Sequence, residues 1–186
     1  MRISKIGAAC SLFFLLAIPC PLPAQQKNPK DLQKSCLDFV QNFYDWYAPK
    51  TQEQNAGNTS DLALKYRSSA FSPELARQLR ADSDAQAKVA GDIVGLDFDP
   101  FVNSQDPDER YVVGKITVKG DSYWVEVHSI RSGKKREKPV VVAELMLKDG
   151  RWRFVNFHYG ERDRSTDENL LSTLKSLRES RQKEPK

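Results

Sequence analysis

The sequence predicts an α+β domain in which a curved, antiparallel, four-stranded sheet wraps on N-terminal helices and a C-terminal helix closes the chain. Three observations predict this fold class. Apolar residues recur at helical spacing in the first half of the chain, at alternate positions from 111 to 159, and at helical spacing again near the end. Helices that are segregated from strands along a chain are typical of α+β domains.

The helical part is predicted to begin at Pro29, a residue type that suits the first helical position. One apolar stripe follows, formed by Leu32, Cys36, Phe39, Val40, Phe43 and Tyr47. We expect this helix to end at Ala48-Pro49, a second helix to begin at Ser60 and a third at Ser72. Cys36 lies on the core-facing stripe, so it is interpreted as a buried apolar residue rather than a reactive thiol.

The alternating part divides into four predicted strands, at residues 111–118, 122–130, 140–148 and 151–159. Gly120-Asp121 and Asp149-Gly150 have the composition of two-residue hairpin loops. The longer segment SGKKREK joins the two hairpins. After the last strand, Ser165 and Glu168 are predicted to form a capping box before a leucine-striped helix.

The two-residue loops also predict which side chains face the core, because side chains alternate between the two faces of a strand. If Lys148 lies opposite Arg151, the inward pairs are Leu147 with Trp152, Leu145 with Phe154, Ala143 with Asn156 and Val141 with His158. If Lys119 lies opposite Ser122, the first hairpin turns inward Val112, Ile116, Val118, Tyr123, Val125 and Val127. Asn156 and His158 are therefore predicted to be polar groups at the far end of an apolar inner face.

The first 24 residues are typical of a Sec-type signal peptide, with a basic head (MRISK), an uncharged apolar run and Ala24 at the end. The apolar run is shorter than the ~20 residues that span a bilayer, so no transmembrane helix is expected after cleavage. We expect a periplasmic or secreted protein with one α+β domain at residues 25–186 and short disordered ends. Lipid attachment at Cys20 is not favoured, because Cys20 follows Pro19 rather than a small residue.

Charge and cysteine content exclude further classes. Loss of Arg2 and Lys5 with the signal peptide lowers the formal net charge of +4 by two, and no acid is lost. The remaining weak basicity argues against a nucleic-acid partner, which normally requires a strongly cationic face. Cys36 is the one cysteine that remains after cleavage, so no intramolecular disulfide is expected.

The segment GLDFDPFVNSQD, residues 95–106, is the most unusual stretch of the chain. As a calcium loop counted from Asp97 it fits poorly, because Val102 occupies the position that requires glycine, and no metal or cofactor is predicted. One interpretation is structural: Leu96, Phe98 and Phe101 close the open end of the core. The other is a binding site, in which Asp97 or Asp99 faces a pocket.

The pocket interpretation places its candidate lining residues at the wide end of the sheet: Tyr47, Asp97, Asp99, Trp152, Asn156 and His158. A carboxylate of the pair Asp97 and Asp99 is a candidate general base if desolvation raises its pKa, and His158 is the candidate proton relay. A histidine near a strand end is more often simply hydrogen-bonded. No nucleophile elbow, phosphate loop or paired-cysteine zinc pattern is present.

Several segments together resemble a known family: FVQNFYDWYAPK, FSPELARQLRADSDAQ, LDFDPFVNSQD and the hairpin VVAELMLKDGRWRFVNFHYG. The chain is similar to the exported bacterial proteins grouped as the domain of unknown function 3828 family. This resemblance implies a cystatin-like, nuclear-transport-factor-like (ketosteroid-isomerase-like) α+β cone and an envelope location. It implies no catalytic residue, because proteins on that cone range from isomerases to structural modules.

Three hypotheses of function follow. The first is a non-catalytic envelope module that binds a small apolar ligand or a protein partner, with the sheet as a candidate homodimer surface. The second is a cofactor-free isomerase or hydrolase that uses an Asp/His pair. The third is an inhibitor or immunity protein whose loop at residues 131–138 enters the cleft of a partner enzyme.

Overall fold

The fold is α+β, with helices packed on one face of a curved antiparallel sheet. The computed structural model describes residues 28–53, 59–160 and 168–183. The predicted signal peptide at residues 1–24 and Ser165 of the predicted capping box lie outside these residues.

The first helix, α1 (Pro29–Thr51), is anchored at its start by Asn28, whose Oδ1 accepts from the backbone N of Lys30 at 3.0 Å. Its buried side includes Cys36, which is 0% exposed, as the stripe predicts. The prediction that Ala48-Pro49 ends the helix is wrong by two residues. Proline fixes φ near the helical value, so Pro49 fits inside the last turn at the loss of one hydrogen bond.

Two helices and a short turn follow: α2 (Thr59–Tyr66), a 3₁₀ turn (Ser68–Ala70) and α3 (Pro73–Gln86). Ser72 caps α3, since its hydroxyl accepts from the backbone N of Leu75 at 3.2 Å. The last helix, α4 (Leu170–Lys183), is capped by Asn169, whose Oδ1 accepts from the backbone N of Ser172 at 3.0 Å.

The sheet contains β1 (Arg110–Lys119), β2 (Ser122–Arg131), β3 (Lys134–Lys135), β4 (Val141–Lys148) and β5 (Arg151–His158). The long strands lie in the order β1-β2-β4-β5, and β3 pairs with the end of β2. The four predicted strands are confirmed, and β3 is an addition to the predicted four-stranded sheet. It forms because Ser132 and Gly133 both have positive φ, 49° and 74°, so the chain turns back tightly on β2.

The register near both tight loops is as predicted, with Lys148 opposite Arg151 and Lys119 opposite Ser122. Further along β5 it changes. Leu145 pairs with Phe154, but the next residue, Glu144, pairs with Asn156, so Val155 is the extra residue of a β-bulge.

The bulge overturns two predicted pairs. Ala143 lies opposite Phe157 rather than Asn156, and Val142, not Val141, lies opposite His158. Phe157 is fully buried in the core, whereas His158 shares the opposite face with Glu144. The prediction that His158 faces the helices is therefore wrong.

A second bulge interrupts β1, between Val113 and Ile116. Val113 pairs with Val127 and packs on the core, in the position predicted for Val112. Both hairpins thus keep the predicted register close to their loops and lose it at their far ends.

Aromatic rings fill the space between the helices and the inner face of the sheet. Phe43 of α1 contacts Phe154 of β5 with ring centroids 4.9 Å apart, and Phe101 contacts Phe157 at 5.0 Å. Phe71 stacks on Phe101 at 5.2 Å. The predicted interior pocket is thus occupied by side chains of the chain itself.

Candidate functional site

The Asp99-Pro100-Phe101 corner closes one end of the core. The Asp99 Oδ2 accepts from the hydroxyls of Tyr47 at 2.7 Å and Thr59 at 2.8 Å, and its Oδ1 accepts from the backbone N of Phe101 at 3.0 Å. Phe101 is 0% exposed. The carboxylate therefore ties α1 and the start of α2 to the corner, which is the structural interpretation of this segment.

Desolvation by burial raises the pKa of Asp99, and the hydrogen bonds from Tyr47 and Thr59 oppose that shift. Burial and the nearby Asp99 also raise the pKa of Tyr47 and Tyr159. Tyr159 donates its hydroxyl proton to the Pro100 carbonyl at 2.9 Å. A desolvated carboxylate can hold a proton near neutral pH, but here its oxygens already accept from neighbouring side chains and backbone.

Asp97 lies on the outside of the same corner. It is exposed, and its Oδ2 accepts from Nε2 of Gln105 at 3.3 Å. An open cleft of about 590 Å³ beside the corner is lined by both Asp97 and Asp99. These two predicted residues are thus brought to one cleft, without His158.

Asn156 is 8% exposed and holds the start of α4 rather than a ligand. Its Nδ2 donates to Oδ1 of Asn169 at 3.0 Å, and its Oδ1 accepts from the backbone N of Phe157 at 3.0 Å and of Leu171 at 3.2 Å. These bonds use both the donor and the acceptor of the amide. Asn156 is therefore a structural tie between β5 and α4.

His158 lies on the outer face of the sheet, defined here as the face opposite the helices. Its Nε2 is 2.9 Å from Oε2 of Glu144, and its ring stacks on Trp124 with centroids 3.9 Å apart. The hydrogen bond from His158 lowers the pKa of Glu144. The predicted Asp/His pair does not form, because the sheet lies between His158 and the Asp99 corner.

The second histidine, His128, was missed as a candidate and lies on the same outer face. It is 5% exposed, its Nδ1 lies 3.0 Å from the Arg136 carbonyl, and its Nε2 lies 3.6 Å from Oε2 of Glu126. Since a carbonyl only accepts, Nδ1 carries the proton. The ring fits because Gly114 has no side chain: an added Cβ would lie 2.5 Å from Nε2.

An open cleft of about 780 Å³, here called the outer cleft, is lined by Glu126 and Arg136, the two residues that His128 contacts. Its apolar part consists of Pro139, Val140 and Val142. Its charged part consists of Glu126, Arg136, Glu137 and Lys138. No spacing signal in the sequence joins Glu126 to residues 136–142, because they meet through strand pairing.

The remaining two predicted residues lie on the helix side. Tyr47 is fully buried against the Asp99 corner. Trp152 is 8% exposed, donates from Nε1 to the Ser35 hydroxyl at 3.0 Å, and lines a separate cleft of about 460 Å³. The predicted lining residues thus occupy four separate places: the Asp99 corner, the start of α4, the outer face and the cleft beside Trp152.

Among the described residues, no group of three or more His, Cys, Asp or Glu side chains is arranged to hold a metal ion. Within the same ranges, no helix combines the length and the apolar character needed to cross a membrane. Burial raises the pKa of the Cys36 thiol to about 12, so the reactive thiolate is scarce at neutral pH.

The described residues thus form open clefts on the surface of a domain whose interior is filled by aromatic side chains. Comparisons of the chain with protein-family models, with curated proteins and with solved structures found no match.

Proposed function

We propose that the chain is an exported envelope protein of bacteria and that its cystatin-like, nuclear-transport-factor-like cone is a non-catalytic module that binds a segment of a partner protein. The basic head and apolar run of the N-terminal sequence support export. The helices on one face of a curved antiparallel sheet support the cone.

The outer cleft is the observation that carries the proposal. Its centre is apolar, with Val140 and Val142, and its rim carries charges of both signs, such as Glu126 and Lys138. An apolar centre with a polar rim is the usual composition of protein interfaces. The cleft volume of about 780 Å³ is large enough for several side chains of a bound segment.

The filled interior favours a protein partner over a small apolar ligand inside the cone. Phe101, Phe154 and Phe157 are each 0% exposed and occupy the space that such a ligand would require. We therefore expect the partner protein to bind on the surface of the domain.

The arrangement of the acidic and basic groups does not favour an enzyme. The Asp99 carboxylate accepts from Tyr47, Thr59 and a backbone amide, so no oxygen of it is reserved for a substrate proton. His158 pairs with Glu144 on the other side of the sheet. General acid–base catalysis requires both groups within hydrogen-bond reach of one substrate.

The inhibitor hypothesis requires the loop at residues 131–138 to enter a partner. Lys134 and Lys135 pair with Arg131 and Ile130, so this tip is a short hairpin beside the outer cleft. Residues 136–138 at the end of this segment line the outer cleft, whereas Lys134 and Lys135 at the tip do not. The segment therefore contributes to the cleft through its last residues and is not a free inserting loop.

Site-specific photo-crosslinking in the periplasm tests the proposal. A photoreactive amino acid replaces Val140 in the outer cleft of the full-length chain, and in a control chain it replaces Met146, which is 38% exposed on the outer face. We expect one discrete protein adduct from position 140 and none of the same mass from position 146.

Two charge-reversal variants test whether the adduct depends on the rim of the outer cleft. Lys138→Glu reverses a charge at the rim and should weaken the adduct from position 140, whereas Lys134→Glu on the tip should leave it unchanged. Equal adducts from positions 140 and 146 would contradict the proposal, as would an adduct that contains only a second copy of the chain.

A further inference from the structure

A basic cleft lies at the opposite end of β5 from the outer cleft, between α1, the 3₁₀ turn and the first residues of β5. Its volume is about 460 Å³. Its floor is apolar and contains Phe39, Phe43, Ala70 and Trp152, and its rim contains Asn42, Arg67, Ser69 and Arg151. Within the part of the chain that the structure describes, no acidic residue lines it.

The two guanidinium groups of this rim are not neutralised by the protein. Within the described ranges, neither Arg67 nor Arg151 forms an ion pair or a side-chain hydrogen bond, in contrast to Arg131 and Arg181, which pair with aspartates. Arg67 lies over the Trp46 ring, 5.0 Å from its centroid, which fixes its position without using its hydrogen-bond donors. Both guanidinium groups therefore remain available to an anion.

The two uncharged residues of the rim also offer hydrogen-bond donors. The side chains of Asn42 and Ser69 are exposed, each carries a hydrogen-bond donor, and neither bonds to another residue in the described part of the chain. Four side chains thus offer donors around one opening. An anionic group satisfies such a set better than a neutral or cationic group does.

The floor is rigid, so the cleft is formed before a ligand arrives. Phe39 and Phe43 pack on Phe154 with ring centroids 5.3 and 4.9 Å apart. The Trp152 indole is held by its hydrogen bond to Ser35 and by an edge contact with Tyr123 at 4.8 Å. A preformed apolar surface binds an apolar group with little ordering cost.

We infer that this cleft binds a small amphiphilic anion, with its carboxylate or phosphate head between Arg67 and Arg151 and its apolar body on the aromatic floor. Guanidinium groups bind both kinds of head through paired, charge-assisted hydrogen bonds. The cleft volume lies within the range of small-molecule sites. The site is separate from the outer cleft, so it does not depend on the protein partner proposed above.

Calorimetric titration of the mature full chain with four probes of equal chain length tests the inference. Decanoate and decyl phosphate carry the two anionic heads, and decanol and decyltrimethylammonium are the neutral and cationic controls, all below their micelle concentrations. We expect saturable one-site binding of at least one anion and at least about tenfold weaker binding of both controls. The relative affinities of decanoate and decyl phosphate show whether the natural ligand is a free carboxylic amphiphile or a phospholipid-like one.

Matched variants locate the site. Arg67→Gln and Arg151→Gln should each weaken anion binding by about tenfold, and the double variant should abolish it, while Arg80→Gln, at an exposed position on α3, should leave it unchanged. All three positions are exposed, so folding is expected to persist and is checked by circular dichroism. Absence of anion binding, equal binding of decanol, or full affinity in the double variant would overturn the inference.

Discussion

The two faces of the sheet differ in what they bury. On the inner face, Phe154 and Phe157 are packed against other rings and are 0% exposed. On the outer face lie both histidines of the chain, His128 beside Glu126 and His158 beside Glu144. The bulge at Val155 decides the position of His158, because it turns Phe157 inward and His158 outward. A one-residue irregularity thus determines on which face of the sheet the titratable side chain of His158 lies.

The largest expected contrast comes from one substitution on each face. Phe154→Ala removes a fully buried ring that contacts Phe39, Phe43 and Phe71, so it should lower the free energy of unfolding by about 3–5 kcal/mol. Met146→Ala, on the outer face and 38% exposed, should change it by no more than about 0.5 kcal/mol. Equilibrium urea unfolding measures both, and equal losses would contradict the assignment of the faces.

The second contrast tests the packing of His128 on the outer face. Gly114→Ala places a Cβ 2.5 Å from Nε2 and 2.8 Å from Cδ2 of His128, and the ring is held by its bond to the Arg136 carbonyl. Overpacking of this kind should cost about 1–3 kcal/mol of unfolding free energy.

A double variant distinguishes this steric effect from a general loss of strand flexibility. In the background His128→Ala the clash with the ring is absent, and the closest remaining neighbour of the new Cβ is Glu126 Cβ at 3.3 Å, so Gly114→Ala should cost much less than in the natural chain. A loss of the same size in both backgrounds would show that the contact with His128 is not its cause.

Most of the fold is predictable from the sequence, because its signals are local. The loop Asp149-Gly150 has positive φ at both residues, 52° and 72°, as its composition requires, and this sets the register of the adjoining pairs. The stripe of α1 correctly places Cys36 in the core. These features depend on residues close together in the chain.

The candidate sites are less predictable, because their geometry depends on a β-bulge and on contacts between distant segments, neither of which has a local sequence signal. Val155 has no composition that marks a bulge, and so the face of His158 could not be read from alternation. Arg67 and Arg151 are far apart in the chain and meet only because α1 and the 3₁₀ turn pack beside the start of β5. Tertiary packing, rather than spacing, brings these groups together.

The third prediction concerns pH and the Asp99 carboxylate at the corner that closes the core. Burial raises the folded-state pKa of Asp99 above the ordinary value of 3.8, so the folded state binds this proton more tightly than the unfolded state. The corresponding stability is present below about pH 4 and is lost as the pH rises through the folded pKa. Relative to Asp99→Asn, the natural chain should therefore lose stability as the pH rises above about 4, which urea unfolding across a pH series measures. A flat difference between the two chains would show that Asp99 titrates normally.

The smallest effect is expected on the outer face, where the pH dependence of the unfolding free energy has the opposite sign. The hydrogen bond from His158 lowers the folded-state pKa of Glu144 below its ordinary value of 4.5, so the stability it contributes is present above that value and is lost as the pH falls through the lowered folded pKa. Solvent screens this partly exposed pair, so Glu144→Gln should cost only about 0.2–1 kcal/mol at neutral pH. The stability cost of Glu144→Gln should shrink below about pH 4. The stability difference between the natural chain and Asp99→Asn should instead change above about pH 4. The same unfolding series measures both, and a Glu144→Gln cost that stays constant down to pH 3 would mean that Glu144 and His158 are not coupled on this face.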